Sequence, residues 1–216
     1  MSEQREIKTT REEHPLPTVV THWVHLVAVG VLIWTGFFIS LPFYSGSMAN
    51  NRTFHLIFAW VLLSTATVRL YWAFVGFSAP PGSQQEIPDY KFFAPQAENR
   101  GKLLPTLQYY LFLRRTHPKT AKYNPLQKGT YIFWGSLIVA QTITGFELWT
   151  PTASFFSPLT YALGGPDNVR IIHYLIMWLF IVTVALHIYL VFVEVIREVP
   201  LMFWWHETAS EREKRS

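Results

Sequence analysis

The sequence predicts an all-α membrane protein, and three observations lead to this fold class. The chain has 216 residues, of which 50% are hydrophobic and only 15% charged. Its apolar residues are concentrated in four blocks, each at or above the roughly 20 residues that a helix needs to cross the hydrocarbon core. The predicted spans are residues 19–41, 53–77, 129–150 and 171–196. Cysteine is absent, which excludes disulfides, cysteine-ligated iron–sulfur clusters and covalently attached c-type haem within this chain.

Positive charge predicts the orientation of the spans. The N-terminal tail, segment 77–128 and segment 197–216 carry three, eight and four Lys or Arg residues, whereas loops 42–52 and 151–170 carry one each. By the positive-inside rule, both termini and the long middle loop are expected in the cytoplasm, and the chain is expected in the inner (cytoplasmic) membrane. The net charge of +4 then reflects contact with anionic lipid rather than nucleic acid. No small-residue cleavage site follows the first span, so that span is expected to be retained.

The chain is expected to form a single membrane domain over residues 1–216. Its cytoplasmic loop, 78–127, opens with a turn-rich linker and contains LLPTLQYYLFLRR at 103–115. The apolar residues and terminal basic pair of that stretch predict a short helix, which lies either in the headgroup region or against its own bundle. The outer loop, 151–169, is short, aromatic and nearly uncharged, which favours a docking surface for a partner embedded alongside.

Histidines in the spans point to function, because ionisable groups inside a membrane are costly and by default functional. His173 and His187 are fourteen residues apart. In an α-helix this spacing is a rise of roughly 21 Å, with the two side chains within about 40° of one another. In a core about 30 Å thick, the two imidazoles lie near opposite surfaces. Helix direction then places His22 at the depth of His187 and His55 at the depth of His173.

Two depth-matched histidine pairs are what two b-type haems require. A low-spin haem iron takes two axial imidazoles, and a four-helix bundle can enclose the macrocycle. The sequence therefore predicts a four-transmembrane-helix bundle that binds two haem b groups, with His22 and His187 on one iron and His55 and His173 on the other. His25, one turn beyond His22, could replace it. Metal binding without haem is disfavoured, because no Asp, Glu or Cys accompanies these histidines at ligand spacing.

Arg69 and four glycines are further candidates. Arg69 lies fourteen residues after His55, at the depth of the inner haem, where its guanidinium could pair with the haem propionates. Snorkelling to the cytoplasmic headgroups explains Arg69 equally well. Small residues in the first and third spans leave room for a porphyrin edge, although ordinary close helix packing explains them nearly as well. These residues are Gly30, Gly36, Gly135 and Gly145.

Several stretches resemble the dihaem cytochrome b subunits of respiratory nickel–iron hydrogenases, in a superfamily with formate dehydrogenase gamma subunits and bacterial cytochrome b561. They are THW with TGFFI thirteen residues past the histidine, RLYWAFVG after His55, KYNPLQK, ITGFELW and the helix from His173 to His187. The resemblance covers about residues 15–200, and its register favours His22 over His25.

The same resemblance implies a quinone site. In the superfamily an asparagine at the position of Asn124 helps to form the quinone pocket, so Asn124, with Gln127, is implied to bind menaquinone or ubiquinone. Taken by itself, Asn-Pro before a helix is mainly a turn and helix-start signal.

The function that the resemblance implies is a membrane anchor and electron conduit from a periplasmic nickel–iron hydrogenase to quinone. Its expected partners are the iron–sulfur small subunit and the catalytic large subunit of that enzyme. A formate dehydrogenase, another periplasmic oxidoreductase, or a free-standing cytochrome b561 acting on quinol remain alternatives. A proton-coupled transporter would need intramembrane carboxylates, and the spans offer little beyond Glu147 and Glu194, both near ends. The chain is expected to perform no bond chemistry of its own beyond helping quinone to take up protons.

Overall fold

The structure, a computed structural model, describes residues 16–78 and 86–194. Four helices are long: α1 (Leu16–Ser40), α2 (Met48–Val75), α5 (Pro125–Leu148) and α7 (Pro166–Glu194). The shorter helices are α3 (Tyr90–Phe93), α4 (Leu103–Tyr110) and α6 (Thr150–Ala162), with a 3-10 turn at Ala97–Asn99. Two-residue strands, β1 (Phe77–Ser78) and β2 (Ile87–Pro88), pair antiparallel. His14, His206 and the predicted end of the fourth span at 195–196 lie outside the described residues.

The long helices reproduce the predicted spans with one difference. Within the described part of the chain, three helices are long and apolar enough to cross a membrane, namely α1, α2 and the Pro166–Phe192 part of α7. The third predicted span, 129–150, falls on α5, which has 24 residues. Polar residues such as Gln127, Lys128 and Gln141 recur along α5, and it is not among those three helices. The all-α class and the multi-pass membrane character are confirmed.

Two connecting segments differ from the predictions. The helix predicted over 103–115 ends at Tyr110, because the chain then enters a tight turn in which Phe112 has a φ of 59°. The segment 151–169, predicted as a loop, is mostly helical. Pro151 lies in the first turn of α6, where a missing N–H costs no intrahelical bond. Gly164 and Gly165, both at positive φ, then turn the chain into α7.

The chain forms two compact units. Among the described residues, the first comprises 16–22, 67–78 and 86–132, and the second comprises 23–66 and 133–194. The second unit has a small apolar core at Leu137, Ile176 and Phe180, against which partly buried side chains of α5 and α7 pack. In the first unit, Phe92 is fully buried.

Candidate functional site

His55 of α2 and His173 of α7 lie close together in the second unit. Their ring centroids are 6.3 Å apart and the ring planes are inclined by 57°. An imidazole nitrogen binds a first-row metal at roughly 2.0–2.1 Å, so two nitrogens on opposite sides of one iron are about 4 Å apart and their ring centroids about 6 Å. The observed separation therefore matches two imidazoles that share one iron.

A threonine from another helix contacts each of these rings. Thr35 Oγ1 of α1 lies 2.8 Å from His55 Nδ1, and Thr144 Oγ1 of α5 lies 2.8 Å from His173 Nδ1. Each hydroxyl also donates to the carbonyl four residues earlier in its own helix, at 2.7 and 2.8 Å. A hydroxyl has one proton, so in this arrangement its oxygen accepts the Nδ1–H of the ring. The nitrogen that remains for iron is Nε2 in both histidines.

Two of the predicted glycines lie against the same rings. A Cβ placed on Gly36 would be 3.7 Å from His55 Cε1 and 3.2 Å from Met177 Sδ. A Cβ on Gly145 would be 3.6 Å from His173 Cε1. At these two positions the small residue lets an imidazole pack against the helix surface. The sequence had suggested room for a porphyrin edge or close packing between helices instead.

The other two predicted glycines have open surroundings. Within the described residues, a Cβ on Gly30 of α1 or on Gly135 of α5 would meet no heavy atom within 4 Å. Both glycines are exposed, and Gly129 is equally open, so this open space does not by itself mark a porphyrin edge. The paired imidazoles of His55 and His173, each with Nε2 left for iron, fit a bis-histidine haem.

The second predicted pair, His22 and His187, lies in different units: His22 in the first and His187 in the second. His187 packs edge-on against Trp134, with 5.3 Å between ring centroids. Trp134 Nε1 in turn donates to Thr183 Oγ1 at 2.9 Å. His25 lies on α1 in the second unit, and the pairing of His22 with His187 stays a prediction from spacing and helix direction.

Arg69 is paired with a buried carboxylate in the first unit. Its Nη1 donates to Asp89 Oδ2 at 3.3 Å, and Ser78 Oγ donates to Asp89 Oδ1 at 2.8 Å. Lys122 Nζ donates to Ser78 Oγ at 3.2 Å. Asp89 is 4% exposed, and a buried carboxylate needs such donors to offset its desolvation. In this structure Arg69 therefore joins α2 to the segment that follows it.

Asn124 and Gln127 form a reciprocal cap at the start of α5. Asn124 Oδ1 accepts the backbone N–H of Gln127 at 2.8 Å, and Gln127 Oε1 accepts the backbone N–H of Asn124 at 2.9 Å. This is the capping-box arrangement. Asn124 is 3% exposed, and its Nδ2 donates to the Tyr110 hydroxyl at 3.3 Å. The structure thus gives Asn124 the helix-start function that its sequence also allowed.

Aromatic rings surround this helix start. Tyr123 stacks on Phe93 and meets Tyr131 edge-on, with 5.3 and 5.4 Å between centroids. Burial, together with Tyr131 and Asp89, raises the pKa of Tyr123 well above its ordinary value. The phenol therefore stays protonated at physiological pH.

Residues 13–205 match the prokaryotic cytochrome b561 family. This chain belongs to that family. Its members are four-helix membrane proteins that bind haem b and carry electrons. The membership agrees with the paired imidazoles of His55 and His173 and with the multi-pass character of the helices.

Several proteins are similar to this chain along most of its length. A probable Ni/Fe-hydrogenase B-type cytochrome subunit of Azotobacter vinelandii is 30% identical over 192 residues, which are 81% of this chain and 77% of that protein. The Rhodobacter capsulatus protein of the same name is 27% identical over 209 residues, 84% and 74% of the two chains. A probable Ni/Fe-hydrogenase 1 B-type cytochrome subunit of Escherichia coli K12 is 26% identical over 193 residues, 81% and 79%.

Sequence reasoning missed three residues of these sites. Thr35 and Thr144 stand directly before Gly36 and Gly145, in the stretches TGFFI and ITGFELW that carried the resemblance, so the repeated Thr-Gly was the available signal. Asp89 lies in a short segment between a proline and a tyrosine, and the sequence around it gave no signal.

Proposed function

We propose that this chain is the membrane-anchoring dihaem cytochrome b subunit that carries electrons from a periplasmic nickel–iron hydrogenase across the membrane to quinone. The observation that carries the proposal is the pair of His55 and His173, whose ring centroids are 6.3 Å apart and whose Nδ1 atoms are both held by threonines. Haem, when bound, supplies an iron that takes up and releases one electron at a time. The hydrogenase is proposed because the relatives carry that name.

The four histidines would hold two irons. His55 and His173 would hold one iron through Nε2, while Thr35 accepts the Nδ1–H of one ring. His22 and His187 would hold the second iron, and this pairing rests on helix direction and on the fourteen residues between His173 and His187. Two irons at two depths would allow charge to cross the membrane, at about 2.3 kcal/mol per charge per 100 mV.

Contacts of α5 support its inclusion as the fourth spanning helix. Thr144 and Trp134 are on α5, and the histidines that they contact are on α7: Thr144 forms a hydrogen bond with His173, and Trp134 packs on His187. Thr144 and Trp134 of α5 are thus engaged with the ligand helix rather than with lipid. With both termini and segment 78–127 on the cytoplasmic side, as the charges indicate, the chain forms a four-helix bundle enclosing two haems.

Quinone, either menaquinone or ubiquinone, is proposed to be reduced near the start of α5. Asn124 and Gln127 hold that helix start, and Asn124 Nδ2 also holds the Tyr110 hydroxyl. The Nδ2 of Asn124 carries two N–H donors, and a quinone oxygen that binds Asn124 directly would accept the one that Tyr110 does not. Asn124 therefore acts either on the quinone itself or through Tyr110. Arg69 is proposed to pair with the propionates of the inner haem when that haem is bound, in exchange for or together with Asp89.

The proposed partners are the iron–sulfur small subunit and the catalytic large subunit of the hydrogenase, on the outer face. The helix α6 is the proposed docking surface within the bilayer. Its side chains Phe155 and Tyr161 are 81% and 75% exposed. Membrane lipid covers the remaining apolar surface of the spans.

The test is the haem content of the purified chain by pyridine haemochrome assay. We expect two haem b per chain in the wild type and about one in His173→Ala. The matched control is His117→Ala, which removes an exposed histidine outside the spans and should keep two. A His173→Ala protein that still binds two haems, or a folded wild type that binds none, would overturn the proposal.

A second experiment identifies the partner. The tagged chain is isolated from membranes in mild detergent, and quinone reduction is assayed with hydrogen and with formate. Hydrogen-dependent reduction with a copurified nickel-containing subunit is the expected result. Formate-dependent reduction would replace the hydrogenase by a formate dehydrogenase, and quinol oxidation by the isolated chain would indicate a free-standing cytochrome.

A further inference from the structure

The tripeptide Thr-Gly-Phe occurs at 35–37 and again at 144–146, and both copies meet a histidine in the same way. In each, the threonine hydroxyl lies 2.8 Å from Nδ1 of a histidine on a different helix. In each, a Cβ on the following glycine would be 3.7 or 3.6 Å from Cε1 of that same ring. Two separate places in the chain thus present an imidazole with the same pair of contacts.

Each hydroxyl is oriented by its own helix. Thr35 and Thr144 donate to the carbonyls of Val31 and Ala140 at 2.7 and 2.8 Å. With the hydroxyl proton placed there, the oxygen lone pairs face the histidine and can only accept. The two threonines are 3% and 5% exposed, so water does not compete for these bonds and the low local dielectric strengthens them.

We infer that Thr35 and Thr144 are positioning residues that set the reduction potential of the iron shared by His55 and His173. The inference rests on the proposed function, because it needs that iron. An acceptor on Nδ1–H makes Nε2 a stronger electron donor, which stabilises the ferric state over the ferrous state. Both threonines act on the ligands of one iron and in the same direction, so together they lower its potential.

The glycine of each copy leaves room beside the ring. A Cβ at Gly36 or Gly145 would be in ordinary contact with Cε1, at 3.7 or 3.6 Å, and a larger side chain would occupy the side of the helix along which the ring passes. The threonine sets the donor strength of the ring nitrogen, and the adjacent small residue leaves the ring room to reach that threonine. The dipeptide therefore acts as one unit, and its two copies serve the two sides of one haem.

The test is a potentiometric titration of the purified dihaem chain in lipid nanodiscs. Thr144→Val and Thr35→Val are compared with Thr144→Ser and Thr35→Ser. We expect each valine variant to raise the midpoint potential of one of the two haems and to leave the other unchanged. The expected size is up to a tenfold change in the ferric-to-ferrous ratio at a fixed potential, which for one electron is at most about 59 mV. The serine variants should keep the wild-type potential, and the double valine variant should show the larger shift.

The matched control is Thr142→Val. Thr142 precedes Thr144 by two residues on α5 and donates to the carbonyl of Ile138 at 2.7 Å, so this variant loses the same local helix bond. It should leave both potentials unchanged. The ferric low-spin EPR signal of one haem should also change in the Thr144→Val and Thr35→Val proteins, because its g values depend on ring orientation.

The outcomes separate this inference from the proposed function. A wild type without haem defeats the proposed function. Valine variants that bind two haems with unchanged potentials defeat the inference alone, and so do serine variants that shift as far as the valine variants. Loss of one haem from a valine variant would also defeat the inference, because the threonine would then hold the ligand in the site rather than set the potential of the iron.

Discussion

Substitution of Gly145 offers a graded test of how closely the helix α5 approaches His173. A Cβ at this position would lie 3.6 Å from His173 Cε1, which is ordinary van der Waals contact. Gly145→Ala should therefore fit without movement. Gly145→Val adds two methyl groups about 1.5 Å beyond Cβ, and the stiff χ1 of valine in a helix leaves few ways to turn both from the ring.

The expected cost follows from this overlap. Overpacking by a methyl group or two costs about 1–3 kcal/mol, which corresponds to a roughly 5- to 150-fold weaker affinity of the His55–His173 site for haem. The assay is haem release from purified protein into excess apomyoglobin, followed by absorbance. Gly145→Ala should retain haem like the wild type, and Gly145→Val should lose one haem of the two much faster.

The control is Gly129→Val, which makes the same exchange on the same helix where, among the described residues, a Cβ would meet nothing within 4 Å. It should keep both haems. Wild-type haem retention in Gly145→Val would refute the reasoning, since the ring would then have room that the structure does not show. Equal loss in Gly145→Ala and Gly145→Val would refute it as well, because the distance allows the first.

Two further predictions concern the first unit. Asp89→Asn should lower the free energy of unfolding by about 1–3 kcal/mol. This is less than the 3–5 kcal/mol of a fully buried pair, because the Arg69 side chain is 23% exposed. Denaturant unfolding in detergent measures the loss, and a double-mutant cycle with Arg69→Gln that shows no coupling would contradict it. Asn124→Ala should lower the free energy of unfolding by about 0.5–2 kcal/mol through loss of the α5 cap, whereas Asn124→Ser should retain most of the stability. Thermal unfolding in the same detergent separates the two variants. Equal stability of wild type and Asn124→Ala would show that the cap contributes nothing.

The long helices could be predicted because their physical cause is local. Runs of about 20 apolar residues are visible without any partner, and the predicted spans begin and end within a few residues of α1, α2, α5 and α7. The matched depth of His55 and His173 also follows from local quantities, namely the rise per residue and the direction of each helix. The structure places their ring centroids 6.3 Å apart.

The repeated Thr-Gly was visible in the sequence, but a hydroxyl on a helix does not show which side chain it contacts. The Thr144 hydroxyl can donate to the carbonyl of Ala140 in its own helix whether or not a histidine lies opposite. His173 reaches this hydroxyl only because α5 packs on α7. The helix α6 was missed for a different reason. Segment 151–169 connects two predicted spans and was therefore predicted as a loop, whereas its Pro151, in the first turn, is compatible with a helix start.

The four glycines of α1 and α5 can be interpreted only when the sequence and the tertiary contacts are taken together. From the sequence, Gly30, Gly36, Gly135 and Gly145 formed one set with two possible explanations, room for a porphyrin edge or close helix packing. The structure divides the set, because Gly36 and Gly145 lie against imidazole carbons while Gly30 and Gly135 have open space around them. Gly30 and Gly135 lie six and ten residues before Gly36 and Gly145 on the same helices, so the open pair makes none of the contacts with His55 and His173. The same residue type thus has two different surroundings on one helix, and only the tertiary contacts distinguish them.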